Sequence, residues 1–307
     1  MASVLTPVIM IIFNRPDLTE RLFREIARAR PAKLLVIADG PRAGRAGEAE
    51  KVVETRKIID LVDWDCEVLK CYSDVNLGCK RRVSSGISWA FEQVEEAIIL
   101  EDDCIPDPSL FPYFDELLAR YRSDSRVMML AGSCFLGEAA PRDQSYYASD
   151  LPLIWGWATW RRAWKKYDLE MRGWPELRVS PEFRRIFASA TPRNHYRNQL
   201  DRVYSGSIDT WDLQWTYTVW KSGGVSFSPT KNLVQNLGFG PEATHTHHYD
   251  PAFDPPVRQM EFPLRHPADA NPRPDLDRIW LDRLYSFSAK VRRRLRTYGS
   301  RFLGIGR

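Results

Sequence analysis

The sequence predicts an α/β protein: a Rossmann-like, mostly parallel sheet flanked by helices, followed by an aromatic-rich C-terminal half. Three observations predict it. First, apolar runs at residues 8–13, 34–38, 66–72, 97–100 and 127–131 alternate with charged stretches long enough for helices. Short apolar runs bounded by turn residues mark strands buried on both faces, and their alternation with helices over short connections marks a doubly wound sheet. Second, four runs each end in something polar: Asn14 and Arg15, then Asp39, then Asn76, then Glu101-Asp102-Asp103. Ligands bind at the carboxyl ends of the strands in such sheets. Third, past Gly132 the alternation stops and aromatics thicken from Tyr146 through Trp155, Trp157 and Trp160 to Trp174.

Each element has its own local reason. After the first strand, Pro16 punctuates the chain and Asp17 can cap a helix that runs to about residue 28. The second strand closes in the turn Asp39-Gly40-Pro41. Residues 47–62 and 80–95 read as helices on either side of the third strand, and a helix follows Pro108 to about residue 121. Residues 192–205 form a polar helix. In 208–215, Asp209 suits an N-cap, which puts Asp212 at the third helical position, while Trp211, Trp215 and Val219 share one face. Residues 225–228 read as a strand and 229–248 as a loop. That loop ends in His245, His247 and His248, which suit either a metal or phosphate contact or simple solvation. Residues 249–277, rich in Pro and Asp, look extended over the surface.

Composition narrows the class. The chain of 307 residues has room for a large core, and its net charge of +4 is uneven. Residues 290–307 hold seven Lys/Arg and no acid, so the rest is net negative, which argues against a nucleic-acid partner. Five cysteines without CxxC spacing suggest reduced thiols and a cytoplasmic setting, and the N-terminus shows no basic, cleavable leader. Three parts follow: 1–132, 133–250, and 251–307 as an extended wrap with a basic C-terminal helix.

The acid triplet carries the chemistry. Residues 97–100 run straight into Glu101, Asp102 and Asp103, then Cys104-Ile105-Pro106. Adjacent carboxylates repel one another and resist losing water. Mn²⁺ or Mg²⁺, which take one or two carboxylates plus substrate phosphates, would relieve that repulsion. The alternatives are a metal–diphosphate site and a solvated acidic turn. Trp155 and Trp157 flank Gly156 and offer aromatic faces either to sugar rings or to the core.

Residues 7–250 resemble the GT-A nucleotide-sugar glycosyltransferases, nearest the N-acetylglucosaminyltransferase I type and its bacterial relatives. The likeness rests on Ile98-Ile99-Leu100-Glu101-Asp102-Asp103, a Pro-Asp, and the aromatic helix with Phe111, Tyr113 and Phe114. It implies Asp103 as the Mn²⁺ ligand, with Asp102 and Glu101 on the sugar side. It implies Arg15 and Asp39 as nucleotide contacts, with Lys80 and Arg81 replacing the family's histidine. The family's catalytic base follows a tryptophan, matching Trp211-Asp212, although Leu213 stands where a second Asp is usual; Asp209 is the rival base. Phe239-Gly240 through His245 matches a further segment, with His245 and His247 as weaker metal candidates. Trp155 and Trp157 fall on the acceptor side.

The implied activity is an inverting, metal-dependent transfer of a sugar from a UDP-sugar, UDP-GlcNAc among the candidates, to a hydroxyl of a glycan or lipid-linked saccharide. The alternatives are a nucleotidyltransferase, disfavoured because the loop after the first strand has no glycine, and a non-catalytic carbohydrate- or nucleotide-binding protein at a membrane surface. Apolar residues from Trp280 to Ile305 recur at helical steps among many arginines. Such a helix lies on anionic headgroups, placing the protein at the inner face of a membrane, or docks on the body with its basic face solvated.

Overall fold

The computed structural model describes residues 4–187, 189–238 and 254–285. The N-terminal half follows the expected alternation: β1 (Val8–Ile12), α1 (Pro16–Ala29), β2 (Lys33–Ala38), α2 (Glu48–Lys57), β3 (Glu67–Tyr72), α3 (Gly78–Gln93), β4 (Glu96–Glu101), β5 (Cys104–Pro106), α4 (Leu110–Tyr121) and β6 (Val127–Ala131). Then come β7 (Tyr146–Ser149), β8 (Trp157–Trp160), α5 (Arg161–Trp164), α6 (Trp174–Leu177), α7 (Pro181–Ile186), α8 (Ala190–Tyr204), α9 (Asp212–Lys221), β9 (Val225–Pro229), β10 (Val234–Asn236) and α10 (Pro274–Tyr285).

The expected α/β class is what the structure shows. Eight strands form one sheet in the order β3-β2-β1-β4-β8-β6-β9-β7, and all but β8 and β7 run the same way. The inner strands are apolar at every position because both faces are covered, and alternate residues divide between two cores. Val8, Met10 and Ile12 join Leu34, Val36, Ile98 and Leu100 on the α1/α4 face. Ile9 and Ile11 join Leu35, Ile37, Ala97 and Ile99 on the face covered by α3, α5 and α9. A third cluster, from Phe135 and Trp174 to Trp280, fills the C-terminal half.

Chain order places the crevice. From β1 the chain adds β2 and β3 on one side, then crosses to lay β4 on the other. The strand order reverses there, and ligands bind at the carboxyl edge of such a reversal. The loops leaving β1 and β4 both turn toward the α1/α4 face, which brings Arg15 and the acid triplet together at that edge.

Three local readings change, and an open alternative resolves, with the start of the tail docked on the body. β8, not foreseen as a strand, slots antiparallel between β4 and β6. Asp17 does not cap α1; Arg15 holds the cap position without a side-chain bond, and Pro16 opens the helix. Asp209 does not cap α9, which starts at Asp212 itself after Trp211. Residues 274–285, the start of the tail, form α10 docked on the body through Leu276, Trp280, Leu281 and Leu284. Among the described residues no helix is long and apolar enough to cross a membrane. Residues 290–307 lie outside the described residues.

Candidate active site

The β1–β4 register pairs Ile11 with Glu101, and the Asp102 amide extends the ladder by donating to the Ile11 carbonyl at 3.0 Å. That delivers Asp102 and Asp103 beside Arg15. The guanidinium forks across both, with Nη2 at 2.5 Å from Asp102 Oδ1 and Nη1 at 3.0 Å from Asp103 Oδ2. Asp102 is only 2% exposed. Burial pushes the Glu101 carboxyl above its ordinary range, and Asp103, Asp102 and Asp212 add to the rise. Burial raises Asp102 too, against the pull of Arg15. Arg15 thus faces the three acids of the triplet, whose negative charge exceeds its own.

Asp103 is fixed from its other side by the β5–β10 ladder, where Asn236 pairs with Cys104 and the Leu237 amide donates to the Asp103 carbonyl at 2.8 Å. A Cβ at Gly238 would stand 2.3 Å from Asp103 Oδ2, so a side chain there would push the carboxylate out of place. Among the described residues Asp103 Oδ1 meets just the Cys104 thiol, at 3.6 Å, and Asp102 Oδ2 is buried without a hydrogen-bond partner. These hard, under-used oxygens fit a Mg²⁺ or Mn²⁺ ion. Among the described residues no three His, Cys, Asp or Glu form a complete cage, so the remaining ligands would come from substrate and water. His245 and His247, the other metal candidates, lie outside the described residues, as do Phe239 and Gly240.

On the nucleotide side, Asp39 is already engaged. Its two oxygens accept the amides of Gly40 at 2.9 Å, Leu77 at 2.9 and 3.2 Å, and Gly78 at 3.1 Å. It staples the β3–α3 loop to the end of β2. Burial, partly offset by those amides, raises its pKa. Lys80 reaches Glu170 at 3.8 Å and Arg81 is exposed, whereas Arg82 is buried and donates to the Cys71 carbonyl at 2.7 Å. Sequence reasoning missed a neighbouring group. Glu48 accepts from Asn14 at 3.1 Å and from Arg42, which holds it well below the usual carboxylate range. Arg42 also lies over the Phe13 ring, 5.6 Å from its centroid. Asn14 was marked as a strand end, but Arg42 and Glu48 lie on the next loop and at the start of α2, where no local pattern tied them to it.

Asp212 opens α9 on an aromatic bed. Trp211 stacks on Trp157 at 5.6 Å and 20°, Trp164 packs against both, Trp215 packs against Trp157 and Trp164, and the Tyr167 hydroxyl donates to the Trp211 carbonyl at 2.9 Å. The Thr210 hydroxyl donates to Asp212 Oδ1, leaving the half-buried carboxylate its second oxygen. Asp209 Oδ2 instead accepts the Cys79 amide at 3.1 Å. Trp157 is a correction. It is fully enclosed in this cluster and cannot show a face to an acceptor. Trp155 is half-buried beside Phe135, with its carbonyl accepting from the Ser133 hydroxyl at 2.9 Å. The backbone that comes close to Gly156 belongs to Gly132, whose amide donates to the Gly156 carbonyl at 2.7 Å.

No protein-family model matches the chain, and no curated protein matches it. Among solved structures it is similar to the inositol-1-phosphate CTP transferase from T. maritima, at 8% identity and TM-score 0.37, over 75% of this chain and 90% of that one. It is also similar to mouse xyloside xylosyltransferase 1 in its apo form, at 8% identity and TM-score 0.32, over 69% and 81%. A third is the 4-diphosphocytidyl-2C-methyl-D-erythritolsynthase of Anaerococcus prevotii, at 10% identity and TM-score 0.29, over 70% and 98%. Likeness this weak carries no argument about chemistry, which rests on the site's own groups.

Proposed function

We propose that the chain is an inverting, metal-dependent glycosyltransferase of the GT-A type. It would move a sugar from a UDP-sugar such as UDP-GlcNAc to a hydroxyl of a glycan or lipid-linked saccharide. One observation carries the reading: an acid cluster at the switch point, tied to Arg15, has a separate carboxylate, Asp212, on another element close enough for its charge to act on Glu101. A donor site and a base on different segments are what direct displacement requires.

In this reading Asp103, with Asp102 behind it, would hold Mn²⁺ or Mg²⁺. When bound, the ion supplies Lewis-acid stabilisation of the charge that develops on the leaving diphosphate. Arg15 keeps the two acids parallel and limits their repulsion. Glu101 lies toward the donor sugar. Asp212, oriented by Thr210 and seated on Trp211, takes the proton of the acceptor hydroxyl. The acceptor oxygen bonds to the anomeric carbon as the bond to the diphosphate breaks, and the electron pair leaves with the diphosphate. Attack from the opposite face inverts that carbon. The membrane reading of residues 290–307, and with it a cytoplasmic, peripheral location, belongs to the same proposal.

A panel of nucleotide sugars with Mn²⁺ and simple glycan acceptors tests it. Release of UDP, dependent on acceptor and on Asp212, is the expected result. Pyrophosphate release from a nucleoside triphosphate and a sugar phosphate would make the chain a nucleotidyltransferase. Tight donor binding without turnover would make it a binding protein.

A further inference from the structure

We infer that Asp209 is a positioning residue, tying the loop that carries Asp212 to the amino end of α3 and so holding the base against the donor side of the crevice. The kinetic consequence rests on the glycosyltransferase reading; the contact does not. The first amides of a helix have no partner within it. At α3 the local chain supplies none, because Leu77 at the cap position makes no side-chain bond. Two carboxylates from elsewhere fill the gap. Asp39 takes the amides of Leu77 and Gly78, and Asp209 takes that of Cys79 from 130 residues away. Gly78 admits this second acid. Its φ is +78°, and a Cβ there would stand 2.8 Å from Asp209 Oδ2. A helix's amino end also favours the negative charge.

The other end of the same short loop is anchored independently. Tyr167 holds the Trp211 carbonyl, and Trp211 is stacked in the aromatic cluster. Asp212 follows directly, so its carboxylate is placed from both sides. The loop exposes residues 205–207 and Asp209, while Ile208 packs on the C-terminal cluster and Thr210 is buried, so the Asp209 contact is the loop's tie toward α3. Glu101, Asp212, Asp209 and Asp39 all act electrostatically on Cys79, which places this joint between the two halves of the site. Asp209 is thereby distinguished from Asp212. Both are acids at the crevice, but Asp209 already has an oxygen committed to a backbone amide.

Asp209→Ala and Asp209→Asn test the assignment. Asparagine keeps a carbonyl oxygen that can accept the Cys79 amide but cannot serve as a base. For the alanine variant kcat should fall about 10- to 100-fold with donor KM little changed, since a misplaced reacting group costs on this order. Amide exchange at Cys79 should quicken in the same variant. Asparagine should restore both. If asparagine is as slow as alanine while Cys79 stays protected, Asp209 acts through its proton and the inference is wrong. Parental kcat in the alanine variant, or a loss of kcat without faster exchange, also overturns it. Should the alanine variant not fold, the asparagine variant decides alone, because the tie predicts retained turnover and a base predicts its loss. If the parent turns over no sugar donor, the function proposal fails on its own, and unchanged Cys79 exchange in the alanine variant would refute the tie.

Discussion

Asp277 offers the sharpest physical test of how the C-terminal segment is held. It lies in α10, is 4% exposed, and accepts the Ser149 hydroxyl at 2.6 Å and the Asp150 amide at 2.9 Å. Burial pushes it from an ordinary value of 3.8 up to about 7; the two hydrogen bonds oppose that rise and the charge of nearby Asp150 adds to it. A carboxyl raised on folding contributes stability that is complete below its unfolded value and is lost as the pH climbs through the folded one. About 3 units at 1.36 kcal/mol each make roughly 4 kcal/mol in all, of which about 3 kcal/mol falls between pH 5 and pH 8. Asp277→Asn stays neutral throughout. Its carbonyl can accept the Asp150 amide and its NH₂ can donate to Ser149, whose hydroxyl already faces the Leu151 carbonyl at 3.5 Å. Urea unfolding of both chains across this range, followed by tryptophan fluorescence, measures the difference. The asparagine variant should gain on the parent by about 3 kcal/mol between pH 5 and pH 8. A constant difference across the range would refute the reasoning. So would a variant that loses ground as pH rises, which would mean that the two hydrogen bonds outweigh burial and Asp277 is ionised.

The remaining predictions address the site. Asp103→Asn should abolish Mn²⁺-dependent binding of UDP in calorimetry while leaving the unfolding curve near the parent's, because the acid stands at the sheet edge and supports little core packing. Asp212→Asn should lower turnover by about 10²–10⁴-fold with donor affinity intact, the usual effect of losing a general base. A large fall in its melting temperature with turnover preserved would make it a structural residue of α9. A chain ending at Lys290 should keep donor turnover and stop co-sedimenting with anionic vesicles. If the full chain ignores such vesicles at low salt, the lipid-surface reading fails.

Much of this was legible in residue order because it depends on neighbours along the chain. The wholly apolar runs of β1, β2 and β4 marked strands covered on both faces, and alternate residues do divide between two cores. A run that stops in three acids could only place them at a sheet edge, and Arg15 at the end of β1 was read correctly as part of the same edge. Tertiary structure alone decided the rest. Trp155 and Trp157 look equivalent around Gly156, yet the antiparallel pairing of β8 with β4 buries Trp157 beneath α9 and leaves Trp155 half-buried. Asp209 looked like the cap of the helix it precedes, and it satisfies α3 instead. Asp39 at the end of β2 was read for its place at the sheet edge, and its oxygens also hold the next loop. In each of these hydrogen bonds the partner is a backbone amide, a group that nearly every residue carries. It leaves no mark on the sequence, so only the path of the distant chain decides which carboxylate it meets.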